Sequence, residues 1–181
     1  LAPLIKILKN NNNKFFLINT NQHYINLMSK VFFDLFKIPK PKYNIKASTK
    51  THGMFFSKAI NEIEKVLYKE KPNYLIVQGD TNTALAGCLA GTMYNRKFIK
   101  NNHKISIVHI ESGLRSFDEM MPEEINRKLI DNLSDILFPP TYIDVKNIKN
   151  EKLSHKKIYK VGNTISDILK MNLSKIKKNS I

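Results

Sequence analysis

The sequence predicts a doubly wound, Rossmann-like α/β fold: a parallel sheet with helices on both faces. Three observations predict it. Short apolar runs at residues 15–18, 74–77, 105–110, 136–138 and 158–161 alternate with longer stretches of helical spacing at 23–36, 54–68, 83–94, 122–134, 142–149 and 164–176. Such alternation marks βαβ units with right-handed crossovers. The runs also lack the polar alternation of half-exposed strands, so they suit strands buried on both faces. Finally, 181 residues with 42% hydrophobic content can build one such domain around a real core.

Each element has its own justification. Residues 1–9 place Leu1, Leu4, Ile5 and Leu8 on one helical stripe. A helix in this class of fold normally follows a first strand, so the sequence is expected to open just after one. Asparagines at 10–13 make the next turn. Prolines and lysines at 39–41 predict a loop, and 44–53 reads as irregular. In the stretch 83–94, Ala84, Ala86, Gly87, Ala90 and Gly91 let a helix approach the sheet closely, which is packing rather than a phosphate-binding loop. Pro122 opens the next helix, and Glu123 and Glu124 complement its macrodipole. Its apolar stripe, Ile125, Leu129 and Leu133, is expected to face the core. Residues 1–168 are expected to form the Rossmann-like domain. Residues 169–181, rich in lysine, are expected to form a trailing helix or linker.

Composition excludes several classes of function. The net charge is +15, but 27 of the 30 basic residues are lysine and only Arg96, Arg115 and Arg127 are arginine. A phosphate-tracking surface would use arginine forks with interleaved aromatics. Scattered lysine beside abundant Asn and Ile reads as compositional, so no specific nucleic-acid partner is expected. No apolar run approaches the ~18 residues of a membrane span, and no secretory signal opens the sequence. Cys88 is the one cysteine, which excludes an intramolecular disulfide and fits a reducing compartment. No membrane partner and a cytoplasmic location are therefore expected.

In open parallel sheets, ligands bind beyond the carboxyl ends of the strands. The residues there are Asn19 to His23, Gln78 to Thr81, Glu111 to Gly113, and Gly162 to Thr164. All four tips are polar, and two carry carboxylates. Asp80 and Glu111 lie about one βαβ unit apart. On neighbouring strands, ~4.8 Å apart, they could share one crevice as an acid and a base with separated pKa values. Taken singly, Asp80 could cap the following helix and Glu111 could pair with an arginine. Glu123 could equally serve its helix's first turn or pair with Arg127 at i,i+4. Arg115, just past Gly113, could hold Glu111, a phosphate or a carbonyl. His109 lies within its strand and reads as a satisfied structural histidine. His23 is a weaker binding candidate at a strand-to-helix junction. No G-x-G-x-x-G, Walker loop or zinc spacing is present, so no cofactor and no metal are expected.

Five ordered motifs extend this picture: VQGDTNTALAG at 77–87, VHIESGLRSFD at 108–118, MPEEINRKLID at 121–131, FPPT at 138–141 and VGNTISDIL at 161–169. Together they resemble the non-hydrolysing UDP-N-acetylglucosamine 2-epimerases, over residues 1 to about 170. The resemblance implies the first half of a two-domain fold like that of GT-B glycosyltransferases. It places the family's essential acidic residues on Asp80, Glu111 and Glu123. Arg115, His23 and Asn163, at or just past the strand tips, are the candidate substrate-binding residues. The implied reaction interconverts UDP-GlcNAc and UDP-ManNAc, for surface polysaccharide precursors, through loss and re-addition of UDP. A homodimer is implied, or a partner carrying the second half. Residues 1–6 match the segment just after the family's Gly-Thr-Arg-Pro-Glu turn. That turn, and the second domain with a catalytic histidine and most uridine-diphosphate contacts, are expected to lie outside this sequence, so the chain alone should have little activity. A GT-B glycosyltransferase half, a hydrolysing epimerase half and a non-catalytic dimerisation or binding module remain the alternatives.

Overall fold

A computed structural model describes residues 1–21, 33–47, 51–98 and 103–179 of the chain. The elements are α1 (Ala2–Asn10), β1 (Ile18–Asn19), β2 (Tyr43–Asn44), α2 (His52–Glu70), β3 (Tyr74–Gln78), α3 (Asn82–Phe98), β4 (Ser106–Ile110), α4 (Pro122–Leu133), β5 (Ile136–Phe138), α5 (Tyr142–Asn150), β6 (Lys157–Ile158) and α6 (Thr164–Asn179). Every strand pairing among the described residues is parallel. Four strands form one sheet in the order β3-β4-β5-β6, and β1 and β2 form a separate pair. The α/β class is as the sequence predicts. The expected helix at 23–36 lies mostly outside the described residues.

Three strands differ from expectation. β1 starts at Ile18 rather than at residue 15, and β6 is displaced to Lys157–Ile158. β2 falls where the sequence suggested loop: Tyr43 N–H donates to Leu17 O at 3.2 Å, Ile45 N–H to Asn19 O at 2.7 Å, and Asn19 Nδ2 to Asn44 Oδ1 at 3.4 Å. Strands this short carry no periodicity to read.

Helix α2 is capped by Thr51, whose side chain accepts from Met54 N–H at 3.2 Å, and it stops at Lys71 in the left-handed conformation, φ 45°. Its buried residues Phe55, Ala59, Ile63 and Leu67 pack with Ala86, Ala90, Tyr94 and Ile105. Each large side chain so buried contributes about 1.5–3 kcal/mol. On α3 the small residues do press against the sheet. A Cβ on Gly91 would lie 2.9 Å from Leu75 Cδ2 and 3.1 Å from Ile107 Cδ1. Strand β4 is buried on both faces, as Ile107, Val108, His109 and Ile110 show.

The start of β5 pins the sheet. Asp135 N–H donates to Ile107 O at 2.8 Å, while Asp135 Oδ2 accepts from Ile107 N–H at 2.9 Å. Its carbonyl accepts from Lys157 N–H at 3.3 Å on β6. One residue thereby joins three strands.

Helix α4 departs from the expected orientation. Ile125 and Leu129 are 51% and 45% exposed, while Glu124, Asn126, Ile130 and Asp131 are buried. The inner face of α4 meets the polar tips of β3 and β4, so polar side chains with partners are buried there and two apolar ones are left outside.

Candidate active site

Strands β3 and β4 run in register, with Gln78 opposite Ile110. They therefore end at the same level, and Gly79 N–H donates to Ile110 O at 3.0 Å. Asp80 and Glu111 emerge side by side from adjacent strands, as the sequence reading requires. Gly79 and Glu111 both turn with φ 69°. For glutamate this left-handed conformation costs about 1–2 kcal/mol, and such strain gathers where position matters.

Each carboxylate has its own partners. Glu111 Oε1 accepts from Gln78 Nε2 at 2.9 Å and from Thr164 Oγ1 at 3.0 Å. Asp80 Oδ2 accepts from Arg127 Nε at 2.8 Å and pairs with Arg127 Nη2 at 2.6 Å. Asp80 does not cap α3; Thr81 does, accepting Ala84 N–H at 3.2 Å. Asn126 Nδ2 donates to Asp80 O at 2.8 Å and to Asn82 Oδ1 at 3.0 Å. Thr20, at the tip of β1, meets Thr83 across 2.6 Å between hydroxyls and so brings that tip to the start of α3.

Glu123 is exposed in the first turn of α4 and has no hydrogen-bond or ion-pair partner among the described residues. The i,i+4 pair with Arg127 is not formed. Arg127 is drawn to Asp80 and to Glu124, whose Oε2 lies 3.2 Å from Nη1. Glu124 is the buried member of the Glu-Glu pair. It also accepts from Ser116 N–H at 2.8 Å and Ser116 Oγ at 3.0 Å, pinning the loop between β4 and α4. Burial pushes its carboxyl up, but the Ser116 donors and Arg127 outweigh that and hold its pKa below the ordinary value.

Arg115 is placed with Asp131 and Glu151 rather than with Glu111. Its side chain is buried. Nε and Nη2 donate to Glu151 at 2.6 Å each, Nη2 to Asp131 Oδ2 at 2.8 Å, and Nη1 to Leu114 O at 2.6 Å. Burial works against its charge, but Glu151 and Asp131 more than offset this, so the guanidinium is held more firmly protonated than usual. A substrate contact from Arg115 would have to break these bonds. Gly113 is indispensable to the adjoining turn. It has φ 78°, and a Cβ there would lie 2.4 Å from Asp144 O.

His109 is buried in β4, with Nδ1 2.7 Å from Asp131 Oδ1 and Nε2 3.0 Å from Gly79 O. Asn163 folds back to accept Ile165 N–H at 2.8 Å, and it is the next residue, Thr164, that reaches Glu111. His23 lies outside the described residues. Sequence spacing did not mark Glu124, Asp131 or Glu151 as working residues. A signal existed for two of them: Glu124, Arg127 and Asp131 share one helical face at i, i+3 and i+7. Among the described residues no group of three or more His, Cys, Asp or Glu side chains could hold a metal ion, and no helix is long and apolar enough to cross a membrane.

Comparison with known proteins bears on this geometry. A family model described as UDP-N-acetylglucosamine 2-epimerase matches residues 6–181. The chain is 47% identical over 179 residues to the UDP-N-acetylglucosamine 2-epimerase of Methanocaldococcus jannaschii, covering 99% of the chain and 46% of that protein. It is 44% identical over 153 residues to the UDP-2,3-diacetamido-2,3-dideoxy-D-glucuronate 2-epimerase of Pseudomonas aeruginosa, covering 83% of the chain and 41% of that protein. The crystal structure of the M. jannaschii UDP-GlcNAc 2-epimerase in complex with UDP-GlcNAc and UDP superposes with a TM-score of 0.89 at 47% identity, covering 99% of the chain and 47% of that structure. The chain thus spans about half the length of the relatives it matches.

Proposed function

The chain belongs to the UDP-N-acetylglucosamine 2-epimerase family, and on that premise we propose that it supplies the amino-terminal half of an enzyme interconverting UDP-GlcNAc and UDP-ManNAc. The observation that supports the proposal is the in-register ending of β3 and β4, the strands that lead into Asp80 and Glu111, with Glu123, unpartnered among the described residues, one helical turn from the residues that grip Asp80.

The chemistry asks for such a group of carboxylates. The C2 hydrogen of the sugar ring is not next to a carbonyl, so direct deprotonation is slow. Loss of UDP from C1 with removal of the C2 proton gives a 2-acetamidoglucal. Return of UDP with protonation on the other face inverts C2. Both faces need an acid/base group, each contributing on the order of 10²–10⁴-fold, in a site closed to water. Asp80, Glu111 and Glu123 are the residues of this chain for proton handling and positioning. Asn163 and His23 are further substrate contacts, while Arg115 acts by shaping the turn. No cofactor takes part.

The closing wall of the site belongs to a carboxy-terminal half, in the same or a partner chain, and a homodimer is part of the proposal. Residues 1–168 form the domain and 169–181 the link toward that half. The enzyme is cytoplasmic and has no specific nucleic-acid or membrane partner. The P. aeruginosa relative is named for inversion of the same carbon in a different sugar, so a modified UDP-hexose is the second substrate reading.

The test combines the chain with a family carboxy-terminal half and follows both UDP-sugars by chromatography. UDP-ManNAc is the expected product; free ManNAc or transfer to an acceptor would replace the proposal with a hydrolase or a glycosyltransferase. Asp80→Asn, Glu111→Gln and Glu123→Gln should each lower kcat by at least about 10²-fold. Near-normal rates would remove the residue concerned from the site.

A further inference from the structure

We propose that His109 works as an imidazolium, a positioning residue whose two N–H groups set the turn carrying Asp80. The proposal stands on the partners of its two ring nitrogens. Nε2 faces Gly79 O at 3.0 Å, and a carbonyl can only accept. Nδ1 faces Asp131 Oδ1 at 2.7 Å. The other oxygen of Asp131 takes Gly113 N–H at 3.0 Å and Arg115 Nη2 at 2.8 Å. A carboxylate gripped by a guanidinium and an amide is ionised and has no hydrogen to give. Both ring nitrogens therefore carry hydrogens.

The surrounding charges agree with this assignment. His109 and Arg115 supply two positive charges, and Asp131 and Glu151 two negative ones, in one connected chain of bonds. Both side chains of the His109–Asp131 pair are at most 1% exposed. A buried ion pair is tolerable only when the geometry is good and the remaining donors and acceptors are satisfied, as they are here. From α3 the nearby group is the Cys88 thiol, which burial pushes up to about 12, so it remains uncharged. From the strand tips, Glu111 and Asp80 have their own partners.

The consequence is local and mechanical. Gly79 and Asp80 form the turn between β3 and α3, and each of their carbonyls is held by a buried side chain: Gly79 O by His109 and Asp80 O by Asn126. That grip fixes the direction in which the Asp80 side chain leaves the backbone. Asp131 also binds Gly113 N–H, two residues after Glu111. One carboxylate thus holds both strand tips, the first through His109 and the second directly. The catalytic sense of this arrangement rests on the function proposed above; its chemistry does not.

Nitrogen-15 NMR of the chain labelled at histidine is the test, with His109 assigned by its loss in His109→Gln. At neutral pH His109 should show two protonated-type nitrogens with slowly exchanging hydrogens. One unprotonated nitrogen on His109 overturns the proposal, and the unsubstituted chain alone gives that result. His109→Asn keeps a donor near Asp131 but loses the reach to Gly79, whereas His109→Gln restores it. The Asp80 amide resonance should therefore move in the first variant and recover in the second; no movement in the first also overturns the proposal. In the completed enzyme, His109→Asn should lower kcat on the order of a hundredfold with KM little changed, with Gln recovering most of the loss. If no completed enzyme turns over, the function proposal fails, and the NMR readings still decide this one.

Discussion

Two polar regions lie at the carboxyl ends of β3 and β4, and they are built in opposite ways. Behind the tips, His109, Asp131, Arg115 and Glu151 form a closed set in which nearly every donor meets an acceptor. At the tips, Asp80, Glu111 and Glu123 are partly or wholly open, and Glu123 has no partner among the described residues. The difference separates two tasks. A charged group saturated by buried partners cannot also bind or shuttle a proton without losing them, so it fixes geometry. A carboxylate with free lone pairs and access to solvent can do chemistry once its surroundings are completed. Arg115 is the instructive case. Its place beside Glu111 in the chain suggests a substrate contact, yet its partners put it in the closed set.

The comparison breaks most visibly at Arg115. Arg115→Met leaves Asp131 and Glu151 without their shared cation, and a buried pair broken on one side costs about 3–5 kcal/mol. Urea unfolding of the chain should show that loss; a change under 1 kcal/mol would mean that the closed set does not hold the turn. Glu123→Gln, by contrast, should leave stability unchanged while affecting turnover.

Glu124→Gln should cost about 1–3 kcal/mol, because a charge-assisted acceptor for Ser116 and Arg127 is weakened while still buried. It also sharpens the comparison through pH. Glu124 has its folded-state pKa depressed. It therefore adds stability above the unfolded value, ~4.3, and that stability is lost as pH falls through the lower folded value. The variant should show a flatter decline in stability below about pH 4.3, measured by thermal melting across acid buffers. An unchanged acid profile would assign the decline to other carboxylates.

The smallest effect is expected on the outer face of α4. Ile125→Lys and Leu129→Lys should each shift stability by no more than ~0.5 kcal/mol. Burial in the core would instead make each cost several kcal/mol, and such a loss would restore the stripe that the sequence suggested.

These cases also show what the sequence could reveal. The apolar runs of β3, β4 and β5 were legible because burial on both faces leaves continuous hydrophobic strands. The polar residues that end them were legible because such residues must be there for a turn or a ligand. That is why the tips of β3 and β4, with Asp80 and Glu111, stand out in the sequence, and the two strands are neighbours in the sheet. β2 was not legible, since two residues are too few to show a side-chain periodicity. The orientation of α4 differs from its apolar pattern for a related reason. Apolar spacing points a helix toward an apolar core, but this helix rests on strand tips whose unsatisfied groups reward Glu124, Asn126 and Asp131. Glu151 was invisible because only the close approach of α5 to the turn brings it to Arg115.

Asp135 bears on how the molecule reaches this state. By bonding both the N–H and the C=O of Ile107, and by receiving Lys157, it selects one alignment of β4 against β5. A slip of one residue would turn every β4 side chain to the opposite face, sending His109 away from Asp131 and the Glu111 turn to a different height. Parallel pairings between distant segments form late and slowly, which gives misaligned intermediates time to accumulate. A single aspartate at the far end of the sheet from the candidate site thus favours the one register in which that site can form, and substituting it should lower refolding yield and rate.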